Sequence, residues 1–567
     1  MGKLAAMQAL PENFDAARDL SWPTYAPAFD ALLDTDLNGE DVNAWLAEWT
    51  KIENLISDLL SRIYVAMTAN TADEVATSAY STFYKQIFPE QQRASQALKE
   101  KLLASGVTPA NFEIPLRNMR CEAAIFRAKN VELKAKESEK STEYGEIVGA
   151  QTVRWEGEEI TLTKLEMNQL NSDREVRERA WRLGMDRRLE DRSKLNALWA
   201  ELLDLRVPQA KNAGFETYTQ LRWQEMQRFD YTEADCESFR NAIEKSVVPA
   251  AKRIIERRRA RLGLDSVRPW DLGCPEHGQQ PLKPFSQVAD LEQKASAIFR
   301  QVDPVLGGYY DAMLAEDLLD LGNRKNKAPG GYCTAFPVSR RPFIYMNAVG
   351  KHGDVQTLLH EGGHAFHVFE SAVLPYHQQH EVNTEFAEVA SMSMELLAGP
   401  YLDESYGGYY IAEDAKRARQ EHLEKLVLFW PYMAVVDGFQ HWVYADPQRA
   451  RDSAQCDRAW SELWDRFMGF EDWSGLQAEK ETGWHRKLHI FEIPFYYVEY
   501  GLAQLGAVQV WRNSLEDAPK AIANYRSALA LGGTVTLPQL FSAAGARFAF
   551  DVDTVQSAVD LIESKLA

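Results

Sequence analysis

Cysteine is scarce in this chain. Five occur in 567 residues (Cys121, Cys236, Cys274, Cys333 and Cys456), scattered, odd in number and without a C-x-x-C pair. That argues against a disulfide framework and against a cysteine zinc cluster, and fits buried thiols in a reducing compartment. Long apolar runs are missing too. The longest, Leu426 to Val436, is broken by Pro431 and falls well short of the roughly 20 residues a bilayer span needs. Met1 to Pro11 has no long apolar core and Ala6 spoils a myristoylation pattern, so the expectation is a cytoplasmic chain without a signal peptide. Basic charge is in deficit: 63 Lys and Arg stand against 83 Asp and Glu, a formal charge of -20. Nucleic acid as a partner is disfavoured, because its phosphates need basic patches. There is no repeat and no low-complexity tract.

What is there is an ordinary folding composition, 45% hydrophobic and 26% charged. Helical spacing dominates. Residues 40–65 place Trp45, Leu46, Trp49, Ile52, Ile56 and Leu59 on one face, and residues 72–105 do so with Ala76, Tyr80, Phe83 and Ile87. The polar stretch Lys134 to Gly149 reads as a loop or boundary. Beyond it, Thr152 to Trp155 and Glu159 to Leu162 flank Glu156-Gly157 as a short hairpin, and Thr163/Glu166 and Ser172/Glu175 have capping-box spacing. The expected division is an N-terminal helical domain over 1–180 and a catalytic region over 181–567. A second β-rich island, Gly330 to Phe336 and Phe343 to Asn347, precedes the most informative stretch of the chain. Such an island is either a structural hairpin or an edge that pairs with an extended peptide.

That stretch is His360-Glu361-Gly362-Gly363-His364. Positions i and i+4 of a helix share a face, so two imidazoles can reach one ion, and the intervening carboxylate can take a proton from water held there. Asp354 is placed to cap such a helix, and Val355, Leu358, Leu359, Ala365, Phe366 and Phe369 supply its apolar positions. Two adjacent glycines cost about 1 kcal/mol each inside a helix. Something must need the bare backbone there, either a substrate or a neighbouring helix. His367 falls on the same side as His360 and reads as packing or support, not as a ligand.

A catalytic zinc takes three protein ligands and keeps one position open. The third donor is expected on another element, and the segment Glu381 to Glu395 offers four carboxylates. Glu388 stands out because Phe386, Ala387, Val389 and Ala390 flank it, and a carboxylate among apolar neighbours needs a cation or donors. Glu395 lies seven residues on, along the same face. His352, His377 and His380 read as exposed loop histidines or as lining for a cleft.

Three stretches resemble the thimet-oligopeptidase-like metallopeptidases, most closely their oligoendopeptidase F branch. They are Leu359 to His367, Phe386 to Ser391 with Glu395, and His489 to Ala503. Weaker similarity brings the resemblance to roughly the last three quarters of the chain. It implies a mostly α-helical zincin with a small β element beside the zinc helix and a deep channel between two lobes. It implies one zinc held by His360, His364 and Glu388, with Glu361 as general base. It further implies that His489 and one or more of Tyr496, Tyr497 and Tyr500 act on the scissile carbonyl. The expected activity is endopeptidase cleavage of short unstructured peptides. A carboxypeptidase or dipeptidyl carboxypeptidase, which needs a cation for the terminal carboxylate, and a non-catalytic peptide-binding protein with a structural metal remain as alternatives.

Overall fold

The computed structural model describes residues 21–39, 41–275 and 279–566; Met1 to Pro11, read above for targeting signals, lies outside them. Among the described residues helices predominate, and short strands form two small sheets. Among the described residues no helix is long and apolar enough to cross a membrane. The chain groups into two compact units. One comprises Met1–Ala124, Leu282–Arg419 and Ala503–Phe548; the other comprises Ile125–Pro281, Gln420–Leu502 and Ala549–Ala567. Neither unit is bounded near residue 180. Segments far apart in sequence complete each unit, and local composition carries no trace of such returns.

In the first unit, helix Val42–Ala69 buries Trp45, Leu46, Trp49, Ile52, Ile56 and Leu59 in a cluster with Tyr25, Phe29 and Leu98. The 3.6-residue pattern is borne out there because one broad face is covered. The next stretch departs from it. Helix Glu74–Thr82 buries no residue, and a π turn over Phe83–Ile87 then swings Phe83 and Ile87 inward before helix Phe88–Ser105. Buried Glu53 joins these helices by accepting hydrogen bonds from Trp49, Gln91 and Ser95, which offsets its desolvation.

The three-stranded sheet of this unit has a member the sequence pattern did not announce. Leu319–Gly322 runs parallel to the central strand Arg341–Ala348, and Tyr332–Phe336 pairs with that strand antiparallel from Tyr332↔Tyr345 to Phe336↔Arg341. The central strand buries Phe343 to Met346, so its continuous apolar run reflects cover on both faces. Tyr332–Phe336 is an edge strand.

In the second unit, the polar stretch expected as a loop is instead part of helix Ala128–Gly149. Its Glu, Lys and Ala content favours helix, and Lys136–Glu132 and Lys140–Glu143 pair one turn apart. Polarity there marks a solvated face. Tyr144 anchors the helix, donating to the His485 carbonyl and stacking on Phe491 with ring centroids 4.4 Å apart. Thr152–Trp155 pairs antiparallel with Glu158–Thr161 around Glu156 and Gly157, both at positive φ (52° and 92°), as a tight hairpin turn requires. The helices that follow start one or two residues from the expected caps. Thr161 caps Leu162–Glu166 and Asp173 caps Arg174–Glu190, since these residues have extended backbone and side chains accepting from the first turn.

Candidate metal centre

Helix His352–Ser371 carries the pentamer. Asp354 is not its cap. Lys351 takes that place, and Asp354, in the first turn, reaches back to accept the backbone N–H groups of Val349, Gly350 and Lys351 at 2.7, 2.8 and 2.9 Å. The carboxylate also complements the positive helix end. The paired glycines answer to a neighbouring helix and a ring. A Cβ on Gly363 would lie 2.5 Å from the Ala390 carbonyl oxygen and 2.6 Å from Ser391 Cα, and one on Gly362 would lie 2.6 Å from Phe299 Cζ. Helix Thr384–Ala398 therefore lies directly against the pentamer.

That contact places Glu388 across from both histidines. Its Oε2 is 3.3 Å from His360 Nε2 and 3.7 Å from His364 Nε2, and the two imidazole rings stand nearly perpendicular. Donors held about 2.0–2.1 Å from a tetrahedral ion lie about 3.3 Å from one another. The two nitrogens and one carboxylate oxygen could therefore hold a metal ion, and their donor atoms all lie within 4.8 Å of one another. Ser391 donates to Glu388 Oε2 at 2.9 Å, which fixes the carboxylate in its apolar setting. Glu395, which sequence reasoning left without a role, pairs with His360 Nδ1 at 2.7 Å. A carboxylate behind an imidazole orients the ring and turns Nε2 toward the ion. The seven-residue spacing of Glu388 and Glu395 on one helix face is the signal that could have found it.

Electrostatics separate these groups. Burial pushes His364 down to about 4, leaving its imidazole neutral as a ligand must be. Burial also disfavours charge on His360, but hydrogen bonds to Glu388 and Glu395 outweigh it and hold the pKa well above the ordinary histidine value. Burial works against the Glu388 carboxylate as well, and the His360 hydrogen bond brings its pKa below the usual range. Glu361, also buried, is pushed up to about 7, chiefly by desolvation and then by Glu388, with His360 pulling against the rise. A carboxyl near 7 exchanges protons readily at neutral pH.

A cavity of about 500 Å³ opens beside this centre. His364, His367, Cys333, Phe336, Arg340 and His380 are among its lining residues. His377 also borders it, with its Nδ1 2.8 Å from Asn54 Oδ1. His352 does not; it is buried, with Nδ1 2.8 Å from the Tyr410 hydroxyl. His367 packs edge-on to Phe386 and burial lowers its pKa to about 3.

His489, Tyr496, Tyr497 and Tyr500 belong to the second unit. They form one aromatic group: the His489 ring is 5.7, 5.0 and 6.0 Å from Tyr496, Tyr497 and Tyr500. Arg206, fully buried, fixes the short helix Leu488–Glu492 by donating to the carbonyls of Ile490 and Phe491. Phe495, at φ 68°, turns the chain between His489 and the tyrosines. Gln440 accepts its N–H, and Arg228 donates to its carbonyl at 2.7 Å. A bulky residue in the left-handed region costs free energy and persists only where its surroundings hold it. Tyr497 is buried under Lys487, whose ammonium lies 3.8 Å from the ring centroid, whereas Tyr496 and Tyr500 are half-exposed.

The profile of peptidase family M3 matches residues 167–559. Oligopeptidase PepF of Bacillus subtilis (strain 168) is 23% identical over 331 residues, a stretch that covers 56% of this chain but only 46% of that protein. Among solved structures, PZ peptidase A with inhibitor 2 superposes with a TM-score of 0.86 at 27% identity over 98% of each chain. A provisionally named oligoendopeptidase F matches with the same TM-score at 26% identity over 96% of each chain. The pentamer, the donor trio and a profile match over most of the chain agree, and this protein belongs to peptidase family M3, a family of zinc metallopeptidases.

Proposed function

We propose that this protein is a zinc-dependent endopeptidase that hydrolyses internal bonds of short, unstructured peptides. The observation that carries the reading is the donor set itself: His360 Nε2, His364 Nε2 and Glu388 Oε2 lie close together, and the Glu361 carboxyl interacts electrostatically with His360 and Glu388. His360, His364 and Glu388 would hold one zinc per chain. When bound, zinc supplies Lewis acidity that acidifies water and polarises a carbonyl. Three protein donors suit a catalytic site better than a structural one, which takes four.

The chain's own residues then divide the work. Glu361 takes a proton from the attacking water and later delivers it to the leaving amine, a role matched by a carboxyl raised to about 7. Glu395 keeps His360 in one orientation. His489 and the half-exposed Tyr496 and Tyr500 donate to the developing oxyanion, and Tyr497, buried beneath Lys487, supports their packing. The edge strand Tyr332–Phe336 offers backbone groups to an extended substrate. The 500 Å³ cavity, walled by Phe336, Leu374 and Val382, takes a substrate side chain.

Mass spectrometry of products from a mixed peptide library tests the reading. Internal cuts are expected, with a stable folded domain left intact. A wild-type enzyme that holds zinc and cleaves no peptide would establish the peptide-binding alternative instead. One observation favours the carboxypeptidase alternative: Arg340 lines the cavity that His364 also lines and is a cation suited to a terminal carboxylate. Under that reading cuts fall only near the C-terminus, C-terminal amidation abolishes them, and Arg340→Gln raises KM for free-acid peptides alone.

A further inference from the structure

The second unit contains a cluster that the proposed hydrolysis does not use. Glu233, Cys236 and Arg240 lie along one face of helix Glu233–Ala242, at offsets of three and seven residues. Asp437 and His441, four apart, lie along one face of helix Ala412–Ala445. Where these faces meet, a thiol sulfur, a carboxylate oxygen and an imidazole nitrogen lie within 4.8 Å of one another. Cys236 and Asp437 are fully buried. Two atoms there lack hydrogen-bond partners: Asp437 Oδ1 and His441 Nε2, 3.6 Å apart. The rest of the cluster is well supported. Arg240 donates to Asp437 Oδ2, Glu233 Oε2 lies 3.6 Å from His441 Nδ1, and the rings of Trp223 and Phe495 flank the imidazole at 5.8 and 5.2 Å.

We infer that Cys236, Asp437 and His441 form a second binding site, for a thiophilic divalent ion such as zinc, cobalt or cadmium. The donor set is one sulfur, one oxygen and one nitrogen, the mixture that borderline-soft ions prefer and that magnesium and calcium do not. The separation of the two unpartnered atoms is close to the spacing of donors around one tetrahedral ion. An ion there satisfies both, and buried polar atoms without partners are otherwise costly. Glu233 stands behind the imidazole as a supporting carboxylate does in metal sites, and Arg240 holds the other oxygen of Asp437. Binding forms a metal–sulfur bond at Cys236 and releases the thiol proton to solvent, with no change of oxidation state. The His441 side chain, 12% exposed, gives the ion a way in. The site crosslinks two helices and adds stability in proportion to occupancy.

The test uses the full chain, stripped of metal by a chelator and titrated with cobalt(II). Bound cobalt is counted by elemental analysis while the near-ultraviolet thiolate-to-cobalt charge-transfer band is followed. That band separates the two centres, because His360, His364 and Glu388 include no sulfur. The expected result is about two equivalents per chain with the band present. Cys236→Ser should lose the band and one equivalent, and His441→Gln should lose the same equivalent should the serine variant not fold. A single equivalent without the band in wild type overturns the proposal, leaving Arg240–Asp437 as a plain buried ion pair. So does a band that survives Cys236→Ser, which would assign the sulfur to another cysteine such as Cys333.

Discussion

Gly363→Ala tests whether helix contact builds the centre. By propensity alone the change should stabilise a helix by about 1 kcal/mol. Here the added Cβ meets backbone, 2.5 Å from the Ala390 oxygen and 2.6 Å from Ser391 Cα, while ordinary contact begins near 3.4 Å. Backbone cannot rotate away, so helices His352–Ser371 and Thr384–Ala398 must part by about 1 Å. Overpacking of this kind costs about 1–3 kcal/mol, which exceeds the propensity gain. The displacement also falls on Glu388, three residues before Ser391, whose Oε2 is 3.3 Å from His360 Nε2. Metal affinity should fall more than stability does. The control is Gly353→Ala in the same helix, where a Cβ meets nothing within 4 Å; it should hold metal normally and lose no stability. The assay is a competitive chelator titration beside denaturant unfolding of the metal-free proteins. A Gly363→Ala protein as stable as Gly353→Ala, with unchanged metal affinity, would refute the reasoning.

Other expectations follow from the same geometry. Glu361→Gln should keep metal and fold while turnover nearly vanishes, read by elemental analysis and peptide hydrolysis; wild-type turnover would remove Glu361 as the base. In the metal-free enzyme Glu361 makes stability fall as pH rises from 4.5 through about 7, since the folded state then binds the proton more tightly than the unfolded state. Relative to Glu361→Gln, the wild type should lose about 3 kcal/mol between pH 4.5 and pH 8, measured by denaturant unfolding; parallel profiles would contradict it. Glu395→Gln leaves His360 without its carboxylate and should weaken metal binding about 10–100-fold; a chelator titration showing no change would deny Glu395 that role. Tyr500→Phe or Tyr496→Phe should lower kcat by about 3 kcal/mol of transition-state stabilisation with little change in KM, and Tyr497→Phe far less; the reverse ranking would reassign the donor.

The sequence by itself determined what local geometry determines. A spacing of four on a helix puts His360 and His364 on one face whatever surrounds them, and the apolar stripe from Trp45 to Leu59 needs only one covered side. Glu388 was legible because its neighbours are apolar and a carboxylate there needs partners. Local pattern misled where polarity has two causes: Ala128–Gly149 is polar because its helix faces water, and a loop reading follows from the same letters. Tertiary structure alone decided how Glu388 reaches the histidines, through a helix contact that requires bare backbone at Gly363. It decided that Glu395 supports His360, and that Arg206, Arg228 and Gln440 hold the turn that groups His489 with the tyrosines. It also joined Cys236 to Asp437 and His441, across 201 and 205 positions of chain. The reason is physical: backbone geometry couples residues a turn apart, whereas distant residues meet only after the chain has buried its apolar faces, and no short window of sequence contains that outcome.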